Sequence, residues 1–330
     1  MKRKDKMSKN IVLYHKNCLD GTCAAWVASQ YLYKESTEYI AVEYGKTLTL
    51  QIGWIQHNNA KDKALYILDW CPEMDDLDAC CKLFGKVILI DHHESAIKKL
   101  YQHYNKSNKP KNLEHFLAYN NEWSGAMGTA IWFSSQLGYA FLKDTELGQI
   151  TDHWLVKAVD DRDRWQFKLP HTKMINEALF FHGFELSRWT DMDWNDNTRI
   201  EMTNVGSTLI VKKQQDCQAI IQSSAVLDDN KEKVIFCNCP YFLASEVGNI
   251  LAKDYRMAVL WYMDKEGQIS VSLRSNKDTL DWINCAKIAE QLGGGGHANA
   301  AGFKLNCSFE EMICALDDAL IDTEQSIVPF

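Results

Sequence analysis

Short apolar runs and helical stripes alternate along the first half of the chain. Residues 11–15 (IVLYH) are a continuous apolar run ending in a histidine, which reads as a short buried strand. Residues 21–33 carry Ala24, Ala25, Val27, Ala28, Tyr31 and Leu32 at helical spacing. Strand patterns return at 39–44, 64–68 and 86–90, with a helical segment at 75–84 between the last two. Residues 124–136 and 147–159 read as helices. Strands alternating with helices predict a mostly parallel sheet, covered on its faces. Residues 98–111 hold five Lys and a Pro and read as a solvated surface loop.

A long helical pattern then covers 196–227, with apolar positions at Met202, Val205, Leu209 and Ile210. Beyond it the strand–helix pattern restarts: strand 234–237, helix 245–253, strand 257–263, turn 264–267, strand 268–273, helix 281–292. The pattern divides the chain into an α/β domain over 1–195, a helical connector over 196–230 and a smaller α/β domain over 231–330.

Composition narrows the function class. With 330 residues, 46% of them hydrophobic, the chain has enough apolar side chains for two cores. Its net charge of −8 disfavours long nucleic acid as a partner, because a protein gripping such a strand carries a basic footprint. The eleven Cys form no regular framework, and Cys80, Cys81, Cys237 and Cys239 read as packing residues with no second pair to complete a zinc site. The basic start is followed by an apolar run too short for a secretory signal, and no stretch reaches membrane-spanning length. The expectation is a cytoplasmic protein with reduced thiols and no membrane association. A homodimer is left open.

Three strands of the first domain end in metal-competent side chains. The first runs into His15 and then Asp20, the second ends in Asp69, and the third ends in Asp91-His92-His93. Ligands of open parallel sheets sit beyond the carboxyl ends of the strands. A fourth acidic cluster, Asp160-Asp161-Arg162-Asp163, closes a helical segment. A lone Asp at a strand end usually caps a turn, and a lone His is usually a satisfied core residue. Their joint occurrence at three strand ends points to a metal site, and mixed carboxylate and imidazole donors suit Mn²⁺. Two such ions about 3.5–4 Å apart supply the nucleophile and charge relief that phosphoester hydrolysis needs. In the second domain, four successive glycines at 293–296 precede His297, and their backbone N–H groups are positioned to approach an anion. Arg274 ends a strand and is suited to clamping a phosphate or, equally, to a surface ion pair.

These residues carry a resemblance. ILIDHHES resembles the motif that names the DHH phosphoesterase superfamily, and LYHKNCLDGTCAAW is similar to its first motif in an H-x-N-C-x-D-G variant. LDW at 68–70 and VDDRDRW at 159–165 resemble the second and fourth motifs. SLRS at 272–275 and GGGGHANAAGF at 293–303 look like the DHH-associated C-terminal domain. The motifs span nearly the whole chain in the family's order.

The resemblance implies a parallel-sheet catalytic domain, a helical linker, a smaller α/β substrate-binding domain, and an active site in the cleft between the two domains. It implies metal ligation by His15, Asp20, Asp69, His92 and Asp161, with Asp69 bridging. Asp160 and Asp163 remain rivals to Asp161. It implies that His93 contacts the phosphate, that Asp91 fixes an imidazole from behind, and that Arg274, Gly294, Gly295, Gly296 and His297 bind substrate. Cys18 stands where the commoner motif has its first aspartate, so one of two Mn²⁺ ions is expected to bind weakly, with Asn17, Cys18 or water completing its shell and Co²⁺ or Mg²⁺ as substitutes. The expected function is a Mn-dependent phosphodiesterase that hydrolyses short oligonucleotides or dinucleotides, including linearised cyclic dinucleotides, by a metal-activated hydroxide. A pyrophosphatase or exopolyphosphatase, and a catalytically weak nucleotide-binding regulatory module, are the alternatives.

Overall fold

The computed structural model describes residues 10–43, 48, 60–137, 149–227, 233–279 and 281–325. Residue 44 of the expected strand, residues 147–148 of the expected helix and residues 228–230 of the expected connector lie outside these. The chain divides into two units, Met1–Ile210 and Val211–Phe330.

In the first unit the apolar runs become strands β1 (Asn10–His15), β2 (Thr37–Val42), β3 (Ala60–Leu68), β4 (Phe84–Asp91) and β5 (Leu113–Leu117). They form one sheet in the order β2-β1-β3-β4-β5, with every neighbouring pair parallel. The runs are continuous because both faces are covered. Ile11, Leu13, Leu65, Ile67, Val87 and Leu89 enter one apolar core. Val12, Tyr14, Tyr66, Leu68, Ile88 and Ile90, the alternate positions, enter another.

The helices of this unit are α1 (Leu19–Tyr31), α2 (Met74–Leu83), α3 (Glu94–His103), α4 (Gly125–Leu137), α5 (Trp154–Asp163), α6 (Thr172–His182) and α7 (Leu186–Asp191). Helix α3 corrects the loop expected at 98–111. Ala96, Ile97 and Leu100 bury one face, and Lys98 and Lys99 are the solvated face of the same helix. A long helix, α8 (Asp196–Ser224), contains the point of division between the units.

The second unit is built on a mixed sheet of β6 (Ala225–Leu227), β7 (Val234–Asn238), β8 (Met257–Met263), β9 (Ile269–Arg274), β10 (Gly295–His297) and β11 (Ala300–Leu305), in the order β10-β11-β9-β8-β7-β6. Only β7 and β8 pair in parallel. Its helices are α9 (Ala244–Leu251), α10 (Cys285–Gln291) and α11 (Phe309–Gln325). Cys237 and Cys239 are buried in an apolar cluster with Leu243, Val247 and Leu260, which is a packing role. No described helix is long and apolar enough to cross a membrane.

Candidate metal centre

The sheet order places β1, β3 and β4 side by side, so their carboxyl ends share one edge. Successive strands lie to opposite sides at the β1/β3 boundary, the position where such sheets bind ligands. His15 is the last residue of β1. Asp69 follows β3 with φ of 56°, and its N–H donates to the Ile90 carbonyl at 2.9 Å. That left-handed turn buries its carboxylate and splits the two oxygens between different neighbours. Oδ1 lies 3.2 Å from His92 Nε2. Oδ2 lies 3.5 Å from His15 Nδ1 and accepts from the Cys18 thiol at 3.4 Å. The same His92 Nε2 lies 3.5 Å from Asp20 Oδ2 and 3.4 Å from Asp163 Oδ2.

The start of α4 holds this cluster from the side. Asp20 Oδ1 accepts from the Ser124 hydroxyl at 2.7 Å and from the Ala126 N–H at 2.9 Å, and Oδ2 accepts from the Gly125 N–H at 2.5 Å. A helix N-terminus favours a buried carboxylate in this way. Gly125 is required by close approach: a Cβ there would lie 2.5 Å from the Asp69 Cβ and 2.7 Å from Oδ1. Neither the bond of Ser124 to Asp20 nor the need for Gly125 could be read without the fold, since the sequence marks 124–136 only as a helix.

The donor set fits divalent cations. The donor atoms of Asp20, His92 and Asp163 lie within 4.8 Å of one another, as do those of His15, Cys18 and Asp69. Ions that hold oxygen and nitrogen at about 2.0–2.2 Å separate the ligands of one ion by roughly 3–4.4 Å. The charges also need compensation. Burial, with the Asp69 and Asp163 carboxylates beside it, pushes the Asp20 carboxyl well above its ordinary range. Burial opposes charge on His92, yet its hydrogen bond to Asp69 and the charges of Asp20, Asp69 and Asp163 lift it to about 10. Burial likewise opposes ionisation of Asp69, but hydrogen bonds from His15 and His92 outweigh it and hold the carboxyl well below its usual range. The Cys18 thiol is raised by burial and by Asp69 and Asp20, so it stays protonated and donates to Asp69.

Two expectations about individual residues are corrected. Asp161 does not join the cluster, and Asp163 does. Asp161 Oδ1 accepts from the Lys168 N–H at 2.9 Å, and Oδ2 accepts from the Leu169 N–H at 3.0 Å and the Thr172 hydroxyl at 2.6 Å. Asp160 is likewise engaged elsewhere, with the Ser124 N–H at 2.8 Å and Arg164 at 3.0 Å. The four glycines are not one open cradle. The N–H of Gly293 donates to Glu290 and that of Gly294 to Ala289, closing α10. Gly295, Gly296 and His297 pair with β11.

The remaining residues are placed as follows. Asp91 is fully buried, and its Oδ1 accepts from the His92 N–H at 2.8 Å, the His93 N–H at 3.2 Å and His93 Nδ1 at 2.7 Å. The ring it orients is therefore that of His93. Arg274 donates through Nη2 to the Ser245 hydroxyl at 2.8 Å and through Nη1 to the Leu273 carbonyl at 2.9 Å. His297 is exposed.

Comparison with known proteins matches residues 242–322 to the DHHA1 domain. The chain is 25% identical over 336 residues to oligoribonuclease NrnB of Bacillus subtilis, covering 92% of this chain and 75% of that one. An exopolyphosphatase-related protein from Bacteroides fragilis matches with a TM-score of 0.53 at 15% identity, over 97% of this chain and 93% of that one. The pGpG-specific phosphodiesterase PggH from Vibrio cholerae matches with a TM-score of 0.51 at 12% identity, over 97% of this chain and 99% of that one. At these identities the two solved structures establish a shared fold.

Proposed function

Because this chain belongs to the DHH superfamily of phosphoesterases and is a hydrolase of that class, we propose that it is a nucleotide phosphodiesterase cleaving short oligonucleotides or dinucleotides at a Mn²⁺ centre in its first unit. The observation that carries this reading is the Asp69 carboxylate, with one oxygen toward His92 and the other toward His15 and Cys18. His15 and Asp69 would hold one ion, and Asp69, Asp20, His92 and Asp163 the other. Two ions held there would supply the nucleophile and neutralise charge developing on the phosphate. The protonated Cys18 thiol offers the first ion a poorer donor than a carboxylate would, which makes that site the weaker one. Co²⁺ and Mg²⁺ are the substitutes the donors allow.

The chain's own residues do the rest. Asp91 accepts from Nδ1 of the His93 ring and, against burial, raises its pKa; the imidazolium so favoured would carry a second proton, on Nε2, to donate to a phosphate oxygen. In the second unit, Arg274 has no carboxylate in ion-pair contact among the described residues, which suits it to a substrate phosphate. Gly295, Gly296 and His297 stand on the strand next to β11, whose residue Ala300 pairs with Arg274. They would complete that phosphate site.

The relatedness to an oligoribonuclease supports a nucleotide substrate. The fold shared with an exopolyphosphatase-related protein supports the alternative, a pyrophosphatase or exopolyphosphatase. A hydrolysis screen with Mn²⁺ decides between them, comparing dinucleotides, short RNA, short DNA, pyrophosphate and polyphosphate. Turnover should be fastest on dinucleotides or short RNA and should vanish in excess chelator. Turnover confined to pyrophosphate or polyphosphate would transfer the assignment to the alternative. Full activity in chelator would remove the metal centre.

A further inference from the structure

Asp161 stands outside the metal-competent cluster, and its bonds shape the surface beside that cluster. Helix α5 ends at Asp163, and the chain then turns through residues 164–171 before α6. The Asp161 carbonyl accepts from the N–H of Gln166 at 2.9 Å and of Phe167 at 3.3 Å. Its carboxylate holds Lys168, Leu169 and Thr172. On the other side, Arg164 donates through Nε to the Asn121 carbonyl at 2.8 Å and through Nη1 to Asp160 at 3.0 Å. A segment with no regular structure is thereby fixed at both ends.

Within it, Trp165 and Phe167 have φ of 56° and 49°, a region that bulky residues rarely occupy. Strain of this kind persists where the surroundings impose it, and it gathers at functional sites. Burial gives no compensation at Trp165, which is 72% exposed. Trp70, also next to a candidate ligand, is 3% exposed and belongs to the core. The Trp165 ring meets Phe167 edge-on at 4.9 Å, and the Lys173 ammonium lies 5.0 Å from the Phe167 ring centre. Two peptide links separate Trp165 from Asp163, so their Cα atoms lie within about 7.6 Å. Asp163 Oδ2 is 3.4 Å from His92 Nε2.

We propose that Trp165, presented by the loop that Asp161 pins, is a stacking platform for a nucleobase of the substrate whose phosphate is cleaved at the adjacent centre. The inference rests on the phosphodiesterase reading above and makes Trp165 a determinant of specificity for nucleotides over base-free phosphates. An uncharged indole offers a polyphosphate one N–H donor and nothing that its ring face can stack on, whereas every nucleobase has a face that stacks on it. Stacking of this kind discriminates little between bases, so the platform selects for the presence of a base. Because the loop is already fixed, little ordering remains to oppose binding.

Trp165→Gly is the informative variant. Glycine adopts φ of 56° without strain, so the loop keeps its path and loses only the ring. Trp165→Phe keeps a stacking face. The full Mn²⁺-loaded chain is assayed on a dinucleotide and on the same dinucleotide made abasic at each position in turn. For at least one position, the ratio of kcat/KM for the base-bearing over the abasic substrate should fall tenfold or more in Trp165→Gly, chiefly through KM. It should stay within threefold of wild type in Trp165→Phe. An unchanged ratio in Trp165→Gly overturns the platform, and so does an equal loss on both substrates, which marks a purely structural loop. Wild-type protein that cleaves neither substrate overturns the phosphodiesterase reading, and the platform with it.

Discussion

A carboxylate can serve two sets of neighbours only if both of its oxygens are uncovered. At Asp69 that condition is met by a left-handed backbone and by the missing side chain of Gly125. Gly125→Ala would place a methyl group 2.5 Å from the Asp69 Cβ, and neither group is the flexible end of a long side chain. The start of α4 or the Asp69 carboxylate must move. Because Ser124 and the first two residues of α4 also hold Asp20 through three hydrogen bonds, either shift disturbs both donor groups. The expected result is a loss of at least a hundredfold in kcat, about 3 kcal/mol of transition-state stabilisation, with a melting temperature that falls only modestly. Steady-state kinetics and a thermal melt on the same preparation check this, and a variant within threefold of wild type would show that the contact is dispensable. The strand-end residues His15, Asp69 and His92 were legible in the sequence because each closes an apolar run. The choice between Asp161 and Asp163 was not. Residues two apart on a helix point in directions about 200° apart, and which one faces the sheet depends on how α5 rolls when Leu155, Val156 and Val159 pack into the core.

At the scale of elements, the first sheet was readable because a parallel strand covered on both faces has no polar alternation to hide it. Helix α6 was not, because Phe180 and Phe181 lie exposed opposite its buried Ile175, Ala178 and Leu179 and blur the stripe. Strands β10 and β11 escaped because their glycines carry no strand preference. The beginning of α5 was also misplaced. His153 caps it, its Nδ1 accepting from the Leu155 N–H at 3.2 Å, with its ring centre 5.2 Å from that of Trp26. Burial among these rings lowers its pKa to about 4, against a weaker opposing pull from a Trp194 backbone hydrogen bond. The unfolded chain takes up this proton near pH 6.5 and the folded chain only near pH 4. Between those values the unfolded state binds more protons, so stability is fully present above about 6.5 and declines as pH falls toward 4. The size of the effect is on the order of 3 kcal/mol. His153→Asn keeps a capping acceptor and removes the titration, so its stability should fall less steeply across that window. Denaturant unfolding at a series of pH values compares the two chains, and parallel curves would exclude His153 as the cause.

At the scale of the whole molecule, each unit has its own apolar cores, and the metal-competent groups found among the described residues all belong to the first. The matched DHHA1 domain lies wholly in the second. The units therefore have separable chemistry: donors for cations in one and, in the other, a guanidinium in ion-pair contact with no carboxylate among the described residues. Burial lowers the Arg274 pKa, which makes a compensating anion more valuable there without removing the guanidinium charge. Arg274→Ala should raise KM for a dinucleotide at least tenfold while the number of Mn²⁺ ions bound per chain stays the same. Arg274→Lys should recover only part of the loss, because an ammonium cannot match a phosphate with two parallel N–H donors. Helix α9 packs closely against the Arg274 side chain, with the Gly248 position leaving room for it. A thermal melt must therefore accompany the kinetics to separate lost packing from lost binding. Metal analysis of the purified variant is the deciding measurement. If Arg274→Ala loses Mn²⁺ in proportion to its activity, the guanidinium acts on the metal centre, and the division of labour between the units is wrong. If KM and metal content both stay at wild-type values, Arg274 has no part in holding the substrate.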